Sequence, residues 1–162
     1  MTEQEFKQKL EAIERGPEII AAAVAGVDNA ALDYKPAPDK WSIREIVAHL
    51  GDIEILYGCR MRQMLADKQP VIAPIDQDDW ARNLRYRAAP VSESLELHRA
   101  ARRVNVRLLR QIGVADLGRG AFHPEKQRQV TLEELIGMMA GHDPNHAAQI
   151  ERLKQQAREA AR

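Results

Sequence analysis

"TLEELIGMMAGHDPNHAAQIERL", residues 131–153, is the stretch that decides the fold class. Thr131 with Glu134 three residues on is a capping-box pattern, in which each side chain meets a free backbone N–H at a helix start. From there Leu132, Leu135, Met139, His142, His146, Gln149 and Leu153 step by three, four, three, four, three and four residues. That is the spacing of one inward seam on an α-helix. Pro144 falls inside the seam. It removes one N–H and crowds the carbonyl of Ala140, which costs about 3 kcal/mol or more in a helix interior. Gly141 as a C-cap, Asp143 as an N-cap and Pro144 as a first helical residue would make a break. Yet the seam keeps its phase across the proline, and a loop would reset it. The expectation is one helix over residues 132–158, kinked near 140–144.

The same signals recur upstream. Thr2 with Glu5 opens a first segment carrying Phe6, Leu10, Ile13, Ile19, Ile20, Ala23 and Val24, which Gly16-Pro17 should bend or interrupt. "DNAALDYKPAPDK" then reads as a loop. Ser42 with Glu45 opens a second helix running to about Ala66, with Ile43, Ile46, Val47, Leu50, Ile53, Tyr57, Met61 and Met64 on one face. Residues 67–79 form a connection, and "WARNLRYRA" is a short helix or an extended lead-in. A third segment follows Pro90 with Ser92 as its cap. Leu95, Val104, Leu108 and Ile112 face inward, and Arg99, Arg102, Arg103, Arg107 and Arg110 lie in water. Residues 113–130, with three glycines and a proline, connect to the last helix, and no hairpin flanked by alternating strands is evident. Four long amphipathic segments with such connections predict an all-α single domain over residues 1–162: a four-helix bundle with long crossover connections.

Composition narrows the function. The 162 residues carry 24 basic and 24 acidic side chains, so the basic excess of a nucleic-acid-binding domain is absent. The arginines of the third segment lack interleaved aromatic residues for base stacking. The N-terminus has no apolar core of a signal peptide, and no apolar run approaches the roughly 18–20 residues of a membrane span. Cys59 is the only cysteine, so no internal disulfide forms and a reducing, cytoplasmic setting fits. Its place beside the apolar stripe of the second helix makes it a packing residue.

The chemistry concentrates in histidines. His142 and His146 occupy seam positions where apolar side chains are expected, and a buried imidazole is costly unless its ring nitrogens find partners. Residues four apart on a helix have Cβ atoms about 5–6 Å apart, close enough for two rings to share one ion at about 2.0–2.1 Å. His49, beside Leu50 and on the face of Ile46 and Ile53, supplies a third ligand from a facing helix. Three neutral imidazoles leave coordination positions open, the pattern of a catalytic site. No glutamate follows the first histidine, so this is not the HExxH of zinc proteases. Asp52, one turn after His49, could orient an imidazole or accept a proton, and Glu125 in "HPE" is a comparable helper. His98 reads as a surface or half-buried residue, His123 as a loop residue, and Trp41 as an anchor for the second helix.

"KWSIREIVAHLGD" and "TLEELIGMMAGHDPNHAAQIERL" together resemble the DinB-like superfamily, in particular its YfiT-like members. The resemblance spans most of the chain: Trp-Ser opening a helix, a histidine about seven residues on, and HxxxH followed by Ala-Gln-Ile. It implies a bundle with a histidine triad holding a divalent metal, often nickel or zinc, and frequent homodimers. The matching positions are His49, His142 and His146. It also implies a metal-dependent enzyme acting on a small molecule: a thiol S-transferase using a low-molecular-weight thiol against an electrophile, or a hydrolase. The alternative is a non-catalytic dimeric metal-binding or stress-associated module.

Overall fold

The computed structural model describes residues 1–162. Four long helices dominate: α1 (Glu3–Val24), α3 (Ile43–Ala66), α5 (Val91–Leu109) and α6 (Leu132–Ala160). Two short helices, α2 (Asn29–Asp33) and α4 (Gln77–Asn83), lie in the connections. Helix α1 packs on α5 and α6, and α3 packs on the same two, which closes a four-helix bundle. No helix is long and apolar enough to cross a membrane.

Three of the four long helices start as their local sequence dictates. Thr2–Glu5, Ser42–Glu45 and Thr131–Glu134 all form reciprocal capping boxes. Helix α5 does not. Its cap is Pro90 rather than Ser92, and the Pro90 carbonyl accepts from both the backbone N–H and the hydroxyl of Ser94 at 3.1 Å. A proline needs no partner for an N–H, and its fixed φ suits the residue before a helix.

Neither internal proline breaks its helix. Helix α1 runs through Pro17 although Gly16-Pro17 predicts a bend or interruption. The carbonyl that Pro17 leaves without a helical donor belongs to Ile13, and the guanidinium of Arg102 donates to it instead. Helix α6 likewise runs unbroken from Leu132 to Ala160 with Pro144 on its exposed side, where water can satisfy the freed carbonyl.

The connection over 113–130 contains a hairpin that periodicity does not announce. Strand β1 (Gly120–His123) pairs antiparallel with β2 (Arg128–Thr131). Gln127 takes a positive φ of 50° in the turn between them. Four-residue strands are too short to show a convincing alternation, and an isolated hairpin is marginal in water. This one is held by tertiary contacts. Ile72 N–H donates to Phe122 O at 3.0 Å, Phe122 N–H donates to Pro70 O at 2.9 Å, and β1 packs on α3.

The interior has two apolar cores. One, at the hairpin end, joins Phe6 and Ile13 of α1 to Ile53, Tyr57 and Met61 of α3, Val106 and Leu109 of α5, and Leu135 and Met139 of α6. The other joins Ile20 and Val24 to Ile43, Ile46 and Leu50, and to Ile150 and Leu153. Between them every long helix contributes polar or small residues: Gly16-Pro17, His49 and Glu54, His98 and Arg102, and His142, Asp143 and His146. This polar layer crosses the waist of the bundle.

Two expectations about α3 and α5 fail at this level. Cys59 is exposed, not packed. On α5, Val104 is exposed, whereas His98, Arg102 and Asn105 are buried with Val106 and Leu109. The inward stripe at 98, 102, 105 and 109 has helical spacing but is mostly polar, so a search for apolar periodicity misplaces it.

Candidate metal centre

Three imidazoles meet at one side of the polar layer. Helix α3 supplies His49, and α6 supplies His142 and His146 one turn apart. Their ligand atoms all lie within 4.8 Å of one another. Nε2 of His49 faces Nε2 of His142 at 3.4 Å. The rings of His142 and His146 are 4.6 Å apart and nearly perpendicular, and that of His49 is 5.3 and 5.2 Å from the two. His49 is fully buried, while His142 and His146 are half-buried and leave the group an edge toward solvent. The seam over residues 131–153 therefore points inward as its spacing predicts.

Aromatic rings line two sides. Trp41 meets His49 edge-on at 4.8 Å, and Tyr57 meets His142 edge-on at 5.7 Å. Trp41 does anchor the start of α3, through an indole N–H donated to Asp78 at 2.8 Å. It also lines a pocket of about 550 Å³ with Lys35, Asp78, Arg82, Arg85 and Arg87.

The surroundings keep all three imidazoles neutral. Burial pushes His49 down to about 3, helped by the nearby His142 and His146. Burial and the neighbouring His146 push His142 down to about 4. His146 is lowered by burial too, although its bond to Gln149 works in the other direction. That bond also fixes a tautomer. Nδ1 of His146 lies 3.0 Å from Oε1 of Gln149, which only accepts, so Nδ1 carries the proton and Nε2 keeps its lone pair. Gln149 sits on the predicted seam, but spacing alone attaches no role to it.

The suggested helpers stand elsewhere. Asp52 accepts from the hydroxyl of Tyr86 at 2.7 Å and makes no hydrogen bond to the triad. Glu125 is exposed in the hairpin turn and makes no hydrogen bond or ion pair. His123 is buried in β1 rather than in a loop, with Nδ1 unpartnered.

A second buried cluster fills the rest of the layer. Arg102, expected in water, is 2% exposed, and His98, expected at the surface or half-buried, is 1% exposed. The guanidinium of Arg102 reaches Oε2 of Glu54 at 2.8 Å and Oδ2 of Asp143 at 2.6 Å. Asn105 donates to the carbonyl and to Oε1 of Glu54 at 3.0 and 2.8 Å. Nε2 of His98 lies 3.1 Å from the Arg102 guanidinium and 3.3 Å from Oδ1 of Asp143. Burial alone would raise the Asp143 carboxyl, but His98 and Arg102 outweigh it and bring it down to about 2. The sequence does carry a signal for this cluster: a polar stripe, His98, Arg102 and Asn105, in phase with the inward face.

Comparison with known proteins agrees with this architecture. The profile of the DinB superfamily matches residues 12–150. A relative from Oceanobacillus iheyensis is 30% identical over 141 residues, which is 87% of this chain and 81% of its own. YfiT of Bacillus subtilis is 28% identical over 151 residues, 93% of this chain and 85% of its own. Both bear the name "putative metal-dependent hydrolase". The solved structure of YfiT, described as having an unusual four-helix bundle topology, superposes with a TM-score of 0.90 at 26% identity. The match covers 96% of this chain and 89% of that one. The fold, the capped helices and the matched span agree, and this chain belongs to the DinB superfamily.

Proposed function

We propose that this chain is a divalent-metal-dependent enzyme acting on a small electrophilic substrate, with hydrolysis as the first reading. The observation that carries it is the triad: three neutral imidazoles from two helices whose ligand atoms lie within 4.8 Å of one another. The donor set is all nitrogen, and its His49–His142 pair has the spacing of two ligands on one ion. Nitrogens at about 2.0–2.1 Å from a tetrahedral ion stand about 3.3 Å apart, and the His49–His142 nitrogens are 3.4 Å apart. Each facing Nε2 has the other as its partner, so at most one of the two can donate, and a shared ion would take both lone pairs at once.

In this reading His49, His142 and His146 hold the ion, and Gln149 keeps His146 in the tautomer that presents Nε2. Trp41 and Tyr57 exclude water from the flanks of His49 and His142. A divalent ion with three neutral ligands supplies Lewis acidity that makes water or a thiol nucleophilic near neutral pH. The pocket beside Trp41 is lined by none of the three histidines and adjoins the triad only through Trp41. Asp52 and Glu125 are given no role, since neither hydrogen-bonds to the triad.

The relatives' names favour hydrolysis. Transfer of a low-molecular-weight thiol is the second reading, supported by the uncompensated charge that three neutral ligands leave for a thiolate. Three imidazoles suit several first-row ions, nickel and zinc among them. A homodimer and a cytoplasmic setting belong to the same reading and rest on the family resemblance and the single cysteine.

The test is elemental analysis of untagged protein, followed by assays with ester substrates and with thiol plus electrophile, with and without added nickel or zinc. About one equivalent of metal and metal-dependent turnover are expected. Protein that is metal-free and gains none on incubation sinks the proposal. Metal-loaded protein inert toward both substrate classes supports a non-catalytic metal-binding module.

A further inference from the structure

The Glu54–Arg102–Asp143–His98 cluster is costly to bury, and the chain is altered in several places to accommodate it. One guanidinium faces two carboxylates, all but removed from water. Well-packed apolar residues commonly hold helices together as well or better than a buried ion group. Yet α1 yields to it twice. Gly16 lies where any Cβ would collide with the Asp143 carboxylate and crowd the Arg102 guanidinium. Pro17 leaves the Ile13 carbonyl free, and Arg102 takes it.

The placement of its ends is informative. Glu54 is on α3, five residues after His49. Asp143 is on α6, directly after His142 and three before His146. Arg102, on α5, bonds both carboxylates. A single side chain therefore ties together the two helices that carry the triad. Ion pairs of this kind are directional, so they set the rotation and height of one helix against the other. Apolar contacts tolerate sliding by comparison.

We propose that Asp143, gripped by Arg102, is a positioning residue for the triad: it sets the register of α6 against α3 so that His142 and His146 converge on His49. The inference rests on the reading of the triad as a metal centre. It assigns Asp143 no contact with metal or substrate.

The test measures zinc affinity by chelator competition and the visible absorption of cobalt-substituted protein. Four untagged proteins are compared: wild type, Gly16→Ala, Asp143→Glu and Leu117→Ala. The first two variants keep every charge and displace the carboxylate. Leu117→Ala is a buried truncation outside the polar layer, and it controls for loss of stability alone. Folded Gly16→Ala and Asp143→Glu should bind zinc about 10- to 100-fold more weakly, the usual effect of disturbing groups that orient ligands. Their cobalt spectra should change, while Leu117→Ala binds as wild type does. Wild-type affinity and spectrum in either folded variant overturn the proposal, as does equal weakening by Leu117→Ala. Should Gly16→Ala fail to fold, Asp143→Glu decides alone. A wild-type protein that binds neither zinc nor cobalt overturns the metal-centre reading itself, a result distinct from a metal-binding wild type with unaffected variants.

Discussion

A histidine triad and a charge cluster around His98 share the waist of this bundle, and they differ in what their ring nitrogens face. In the triad, Nε2 of His49 looks at Nε2 of His142, and the one clear protein partner is Gln149 behind His146. In the charge cluster, the nitrogen of His98 looks at Arg102 and Asp143. The first arrangement sets ring nitrogens against one another, 3.4 Å apart. The second sets one guanidinium against two carboxylates inside the protein. Burial alone does not separate the two, since His49 and His98 are equally hidden. The chemistry of the facing atom does.

Five measurements probe that contrast, in falling order of expected effect. His142→Ala should abolish stoichiometric metal loading while leaving a folded helical protein, because two imidazoles make a poor site. Metal retained at one equivalent per chain would erase the contrast. On the other side, Arg102→Met should cost about 3–5 kcal/mol in urea denaturation, because Glu54 and Asp143 are left buried without the guanidinium that offsets their charge. A near-neutral effect there would mean that the cluster is not electrostatically coupled.

Gln149→Leu should leave the fold intact and weaken metal binding about 10- to 100-fold, or about 1.4–2.7 kcal/mol, because the His146 tautomer is no longer held. Isothermal titration would show it. The pH dependence comes next. His49 and His142 are depressed from 6.5 to about 3 and about 4, so below 6.5 the unfolded chain takes up protons that the fold refuses. The metal-free protein should therefore lose stability as pH falls from about 6.5 toward 4, in step with the protons the unfolded chain takes up. Denaturation midpoints that stay flat across that window would contradict the neutral assignment. Smallest of all, Glu18→Gln removes the exposed pair with Arg99 and should change stability by less than about 0.5 kcal/mol.

Local chemistry was legible wherever it acts over three or four residues. The capping boxes at Thr2, Ser42 and Thr131 need no partner beyond their own helix, and all three formed. The seam through His142 and His146 survived Pro144 because the proline lies on the exposed side of α6. What failed depended on distant partners. Arg102 and His98 read as solvated because long polar side chains usually are, and only Glu54 and Asp143, on two other helices, make their burial possible. Pro17 read as an interruption because its free carbonyl is answered by a residue 89 positions away. The hairpin at 120–131 was missed because its strands are stabilised by the 70–72 segment and α3, not by their own alternation.

The sequence by itself determined four amphipathic helices, where three of them begin, and the three histidines that share an inward face. Those features rest on backbone hydrogen bonding and 3.6-residue periodicity, which a single helix expresses alone. The tertiary structure decided which polar groups the bundle buries and what each one faces. A buried charge is stable only if its counter-charge arrives from another part of the chain, and no local pattern records that arrival.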